Sequence, residues 1–129
     1  MAYPLLSESD LLLGQRAVDD LHAARLNRGL TLPVQDVIDG AAARVRQFTA
    51  RYTLTADDYR RLVRPLAVFD LMNFPGSSVP PGIKEDLERA LAELRDIRDG
   101  KFADVLTPAT TAPTGGAWGG DDRIALRLA

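Results

Sequence analysis

The chain has 129 residues, of which 46% are hydrophobic and 6% aromatic, with a formal net charge of −2 from 16 basic and 18 acidic residues. That fits one small, helix-rich domain, and the near-balance of charge argues against a dedicated nucleic-acid binder. The absence of cysteine excludes disulfides, thiol nucleophiles and cysteine metal sites, and a single histidine, His22, excludes a histidine metal cluster within one chain.

The first segment reads as a short arm and helix over Pro4 to Leu13, stopped by Gly14, with Ser7 and Ser9 as candidate caps. A helix follows from about Gln15 to Asn27. Val18 and Leu21, with the small Ala17 and Ala24, give it an apolar face. Gly29 suits the left-handed position that ends such a helix. Arg25 and Arg28 sit where positive charge favours the helix dipole.

The next helix starts at Thr31-Leu32-Pro33, with Thr31 as the expected N-cap. Val34, Ile38, Ala41, Val45, Phe48 and Tyr52 then form one stripe over about five turns, closed by Leu54. Gly40 inside this stripe costs about 1 kcal/mol against alanine, which predicts a close helix crossing there.

Thr55-Ala56-Asp57-Asp58 reads as a capping box for the following helix, whose stripe is Tyr59, Leu62, Val63, Leu66 and Phe69. Pro65 lies within the pattern and predicts a kink or break at Arg64, with a second helix running from Pro65 to about Asn73. Residues 74–82 are a loop on their proline, glycine and serine content. The last helix spans about Gly82 to Asp99. Its stripe is Ile83, Leu87, Leu91, Leu94 and Ile97, Glu85 and Arg89 form an i,i+4 pair, and Gly100 is the stop.

After Leu106 the composition shifts to Thr, Pro, Ala and Gly, ending in Arg123-Ile124-Ala125-Leu126-Arg127-Leu128 with apolar residues at period two. No other segment reads as a partner strand. The expected fold is therefore all-α: a small helical bundle of four to five helices over 1–106, and an extended C-terminal arm over 107–129 ending in a short strand-like segment. Such an arm has little to bury alone, so Trp118, Ile124, Leu126 and Leu128 are expected to rest on another subunit. There is no internal repeat. Gly115-Gly116 and Gly119-Gly120 lack the strand and helix that a phosphate loop needs.

No catalytic set stands out. Asp57-Asp58 belongs to a first helical turn, where carboxylates stabilise free amides. Asp19-Asp20 and Asp121-Asp122 read as solvated. His22 has no serine or lysine placed for activation and reads as a surface or subunit-contact residue. Asp70 falls near the apolar stripe and reads as a rim residue, with a buried, paired carboxylate as the alternative. Arg44, Arg46, Arg51, Arg60, Arg61 and Arg64 cluster in the middle of the chain and are the one charge feature with a functional reading, as a basic surface toward DNA or toward a neighbouring subunit. No run approaches the ~20 apolar residues of a membrane span, and the first ten residues lack a signal-peptide pattern, so a soluble intracellular protein is expected.

Three stretches carry a family resemblance: Ala50-Arg51-Tyr52-Thr53-Leu54, Arg61-Leu62-Val63-Arg64-Pro65-Leu66-Ala67, and the run from Ala90 to Lys101 that ends Leu94-Arg95-Asp96-Ile97-Arg98-Asp99-Gly100-Lys101. Together they resemble a family of small helical neck proteins from Mu-like prophages, which is similar to the head–tail connector (adaptor) proteins of tailed phages. The resemblance covers roughly Val34 to Phe102. It implies a non-enzymatic virion protein without cofactor or metal, made in the host cytoplasm and built into the neck. Its subunits would form a homo-oligomeric ring, commonly twelvefold, below the portal protein. That ring would extend the channel through which packaged DNA passes without sequence-specific binding, and would present a surface to the next neck or tail-completion protein. No membrane is implied. The alternative from the residues alone is a small helical DNA-binding or regulatory protein. It rests on the arginine cluster and lacks a convincing recognition helix.

Overall fold

The structure, a computed structural model, describes residues 3–103 and 105–108. It is an all-α bundle. A 3-10 helix (Glu8–Leu11) leads into α1 (Gln15–Leu26), α2 (Val34–Phe48), α3 (Ala56–Met72) and α4 (Pro81–Arg98). Two short strands, β1 (Tyr52–Thr53) and β2 (Thr107–Pro108), pair antiparallel.

Helix α3 is the centre of the bundle. It packs against α2 and α4 and also meets α1 and the 3-10 helix. Its sequence explains the position, because Tyr59, Leu62, Val63, Leu66, Ala67, Val68 and Leu71 are all buried. They cover more than one face, as a helix flanked on both sides requires. The stripe therefore passes through Leu71, and Phe69, expected within it, is only half-buried. Thr55 caps the helix by accepting the Asp58 amide at 3.2 Å, as its sequence pattern predicted.

Pro65 does not break the helix. Helix α3 runs unbroken from Ala56 to Met72, correcting the expected two-helix arrangement. Proline has no N–H, so the Arg61 carbonyl loses its usual donor four residues on. The apolar contacts on either side of Pro65 outweigh one missing bond. Leu62, Val63, Leu66 and Ala67 are each at most 1% exposed.

Helix α2 is shorter than its apolar spacing suggests. It ends at Phe48, and Tyr52 joins the core from β1 rather than from a fifth turn. Thr49 stands at its C-cap, with its hydroxyl donating to the Val45 carbonyl at 2.9 Å. Thr31 is not the cap, because Pro33 occupies that position and the first turn has no side-chain cap bond. Gly40 is exposed, and a Cβ built there meets nothing within 4 Å, so the expected close crossing is absent from the described bundle.

The first segment forms only a single 3-10 turn. The Ser7 amide donates to the Asp10 carboxylate at 2.8 Å, and the turn ends at Leu12 and Gly14, both at positive φ. Leu6 and Leu11 anchor it in the core. Helix α1 follows the expected span but enters the core through Val18 and Arg25, while Ala17 is exposed. On α4 the buried residues are Ala90, Leu94 and Ile97, with Ile83, Leu87 and Leu91 packed at the edge. The expected Glu85–Arg89 pair is replaced by Arg89–Asp86 at 3.1 Å. Gly29 and Gly100 take positive φ after α1 and α4, the conformation that lets both helices stop where the sequence predicted.

The β1–β2 pair was not expected. It ties the chain just after α4 to the turn between α2 and α3. The strand-like tip at 123–128, with Trp118, Ile124, Leu126, Leu128 and Asp121-Asp122, lies outside the described residues.

Candidate functional site

The six arginines do not form one bare basic face. Arg44 on α2 pairs with Asp70 at 3.3 Å. The Arg46 guanidinium donates to the Tyr59 hydroxyl at 2.7 Å, and the Tyr59 ring stacks on Tyr3 with centroids 4.4 Å apart. Arg60 reaches Asp10 at 3.7 Å and Asp57 at 3.5 Å. Arg64 donates from Nε to the Asp10 carbonyl at 2.8 Å. Arg60 and Arg64 thus fasten the 3-10 turn onto α3. Arg51 is exposed and forms no hydrogen bond or ion pair among the described residues.

Arg61 joins α3 to α4. It donates to both Glu93 carboxylate oxygens at 2.8 Å and also pairs with Asp58 at 3.4 Å. Glu93, then Asp58, hold the Arg61 guanidinium more firmly protonated than usual, against some desolvation. This planar two-point contact is geometrically selective, but both partners remain wet, so it adds register more than stability.

The Arg61–Glu93 pair stands over an apolar groove along the α3–α4 seam. The groove encloses about 390 Å³, with Leu11 and Leu13 from the N-terminal segment, Pro65 and Val68 from α3, and Ile83 and Ala90 from α4. Arg64, Asp86 and Arg89 complete its charged margin. A separate, smaller cavity of about 100 Å³ shares Arg61, Leu62 and Glu93 with it. There Leu54, Arg61, Leu62, Glu93 and Ile97 meet Leu106. Sequence spacing does not reveal this groove. The only local hint is Pro65, a residue that spoils helix hydrogen bonding yet stays inside an apolar stripe.

A second cluster lies at the C-terminal end of α3. Arg25 is only 6% exposed, and its guanidinium donates to the Asp70 carbonyl at 3.0 Å and the Leu71 carbonyl at 3.5 Å. Those carbonyls belong to the last turn of α3, where intrahelical donors run out. The Asp70 carboxyl sits above the ordinary carboxylate range because burial disfavours its charge, while Arg44 and Arg25 pull the other way. Arg25 sits in the last turn of α1, as expected, and its side chain reaches across to α3. An open groove of about 440 Å³ lies beside this cluster, bordered by Leu32, Gly40, Arg44 and Asp70.

His22 is half-buried, with Nδ1 enclosed and unpartnered. Gln15 donates to Asp19 at 2.8 Å, which places that carboxylate on the helix surface. No group of three or more His, Asp or Glu residues among those described is arranged to hold a metal ion. No described helix is long and apolar enough to cross a membrane. No protein-family model, curated protein or solved structure matches the chain.

Proposed function

We propose that this chain is a structural virion protein, the subunit of a head–tail connector ring below the portal. Its ring would lengthen the DNA channel and offer a seat to the next neck or tail-completion protein. The observation that carries the reading is the meeting of the three family-like stretches in space. Leu54 from the first, Arg61 and Leu62 from the second, and Glu93 and Ile97 from the third line one small cavity. Short helical motifs can match by chance one at a time. Three that converge on one packed corner, joined by a two-oxygen Arg61–Glu93 contact, form a unit.

The all-α bundle agrees with the architecture that the resemblance implies. A closed ring also needs two different surfaces on each subunit, since its interfaces are head-to-tail. The charged margins of the bundle and the arm after Pro108 are candidates for those roles.

The test is electron microscopy of lysates from a phage or prophage lacking this gene. Filled or leaking heads beside separate, complete tails are the expected result. Normally joined virions would refute the proposal.

A further inference from the structure

The α3–α4 groove is apolar, open and close to where the chain leaves the bundle. Leu13, Pro65, Val68 and Ile83 line it, and a separate small cavity that shares Arg61, Leu62 and Glu93 with it is lined by Leu106. Two residues later, at Pro108, the described chain ends against Tyr52. Residues 109–129 continue from this point. Fifteen of them, 109–123, precede Ile124, and when extended they can span at most about 50 Å, well beyond one small domain.

The end of that segment matches the groove in polarity. Ile124, Leu126 and Leu128 alternate with Ala125 and Arg127, after Asp121-Asp122-Arg123. An extended segment of this kind puts its apolar residues on one side. The groove offers an apolar floor for that side. Its margin mixes Asp86 and Glu93 with Arg64 and Arg89, all engaged within the bundle (Arg89–Asp86, Arg61–Glu93, Arg64 with the Asp10 carbonyl), so the match rests on the apolar floor and the reach of the chain.

We infer that the α3–α4 groove is the seat for the C-terminal segment Ile124–Leu128 of a second copy of this chain. The choice of a second copy rests on the ring reading. Arm and groove are different surfaces of one subunit, so each copy can give one and receive one, which is a head-to-tail contact. Many such weak contacts closed into a ring hold together through effective concentration rather than through the strength of any one.

The chain has no cysteine, which makes the contact directly testable by cross-linking. Full-length Leu126→Cys protein is mixed with full-length Ile83→Cys protein under mild oxidation. Non-reducing gels then report the mixed dimer. Arg89→Cys, on the exposed margin, is the second groove position and does not disturb the core. Ala23→Cys, exposed on α1, is the control, and circular dichroism checks that each variant is folded.

The expected result is a mixed dimer at Ile83 or Arg89 several-fold above the Ala23 control. Adding Ile124→Ser and Leu128→Ser to the Leu126→Cys chain should abolish it. Folded variants giving no excess over the control would overturn the inference. So would a Leu126→Cys/Ile83→Cys chain that closes only on itself while the mixture gives nothing. The lysate experiment is independent of this one. Joined virions without the gene refute the ring reading even if the cross-link forms, and separate heads and tails support it even if the cross-link fails.

Discussion

Replacing Arg25 should expose how strongly α1 holds the end of α3. The side chain is 6% exposed, and its two hydrogen bonds go to main-chain carbonyls of Asp70 and Leu71. Arg25→Ala removes both donors and leaves those carbonyls without them. A buried acceptor stripped of its partner costs about 1–3 kcal/mol, and the lost packing of the arginine stem adds to that. The charge itself offsets part of the loss, because burying a guanidinium is expensive and its Nε has no partner. The sum is a destabilisation of about 3 kcal/mol for alanine. Arg25→Met keeps the stem and should lose roughly 1–2 kcal/mol, isolating the hydrogen bonds. Urea unfolding followed by circular dichroism reads the difference. With a slope near 1.5 kcal/mol per molar, the alanine midpoint should fall by about 2 M. An alanine variant within about 0.5 kcal/mol of the parent would refute the claim that Arg25 secures α3.

Three further outcomes follow from the same structure. Gly40→Ala should stabilise the fold by about 0.5–1 kcal/mol, since the site is helical and exposed and a Cβ there meets nothing; a loss in thermal midpoint would contradict this. Pro65→Ala restores a donor to the Arg61 carbonyl and should gain about 1–2 kcal/mol after the lost unfolded-state restriction is subtracted; a destabilised variant would mean the ring's own packing matters more than the missing bond. Asp70 has its folded value raised above 3.8, chiefly by burial, so its favourable contribution is complete below that pH and is lost as pH rises through the folded value. Asp70→Asn should therefore gain on the parent between acid and neutral pH in urea unfolding, and a gap that moves the other way would show the Arg44 pair outweighing desolvation.

The periodic parts of the fold were legible from the residues. Helices α1 and α4 begin and end within about two residues of their expected limits, because glycines punctuate them and their apolar spacing is regular. Spacing failed where two structures share one period. Tyr52 falls in step with the α2 stripe, yet it reaches the core from a two-residue strand, because its partner strand at Thr107–Pro108, with Tyr52 opposite Pro108, lies far along the chain and local pattern does not register it. Pro65 failed in the opposite sense. Its local preference to break a helix is real, but α3 is enclosed by α2 and α4, and continuity there buries more than a break would. Arg25 was legible only as a positive charge near a helix end. Its long stem carries that charge to a different helix, a distance that linear spacing does not encode.

The same distinction bears on the arginine cluster. Six arginines close in sequence suggested one basic surface, but α2 and α3 project them to different neighbours. Arg60 and Arg64 hold the N-terminal turn, Arg61 holds α4, and Arg44 meets Asp70. Arg44, Arg60 and Arg61 are engaged with carboxylates and lose much of their field, while Arg46, Arg51 and Arg64 keep their charge, so the surface is mixed rather than uniformly basic. The mixed charge of the bundle is thus compatible with the proposed channel-forming subunit and weighs against a DNA-gripping regulator.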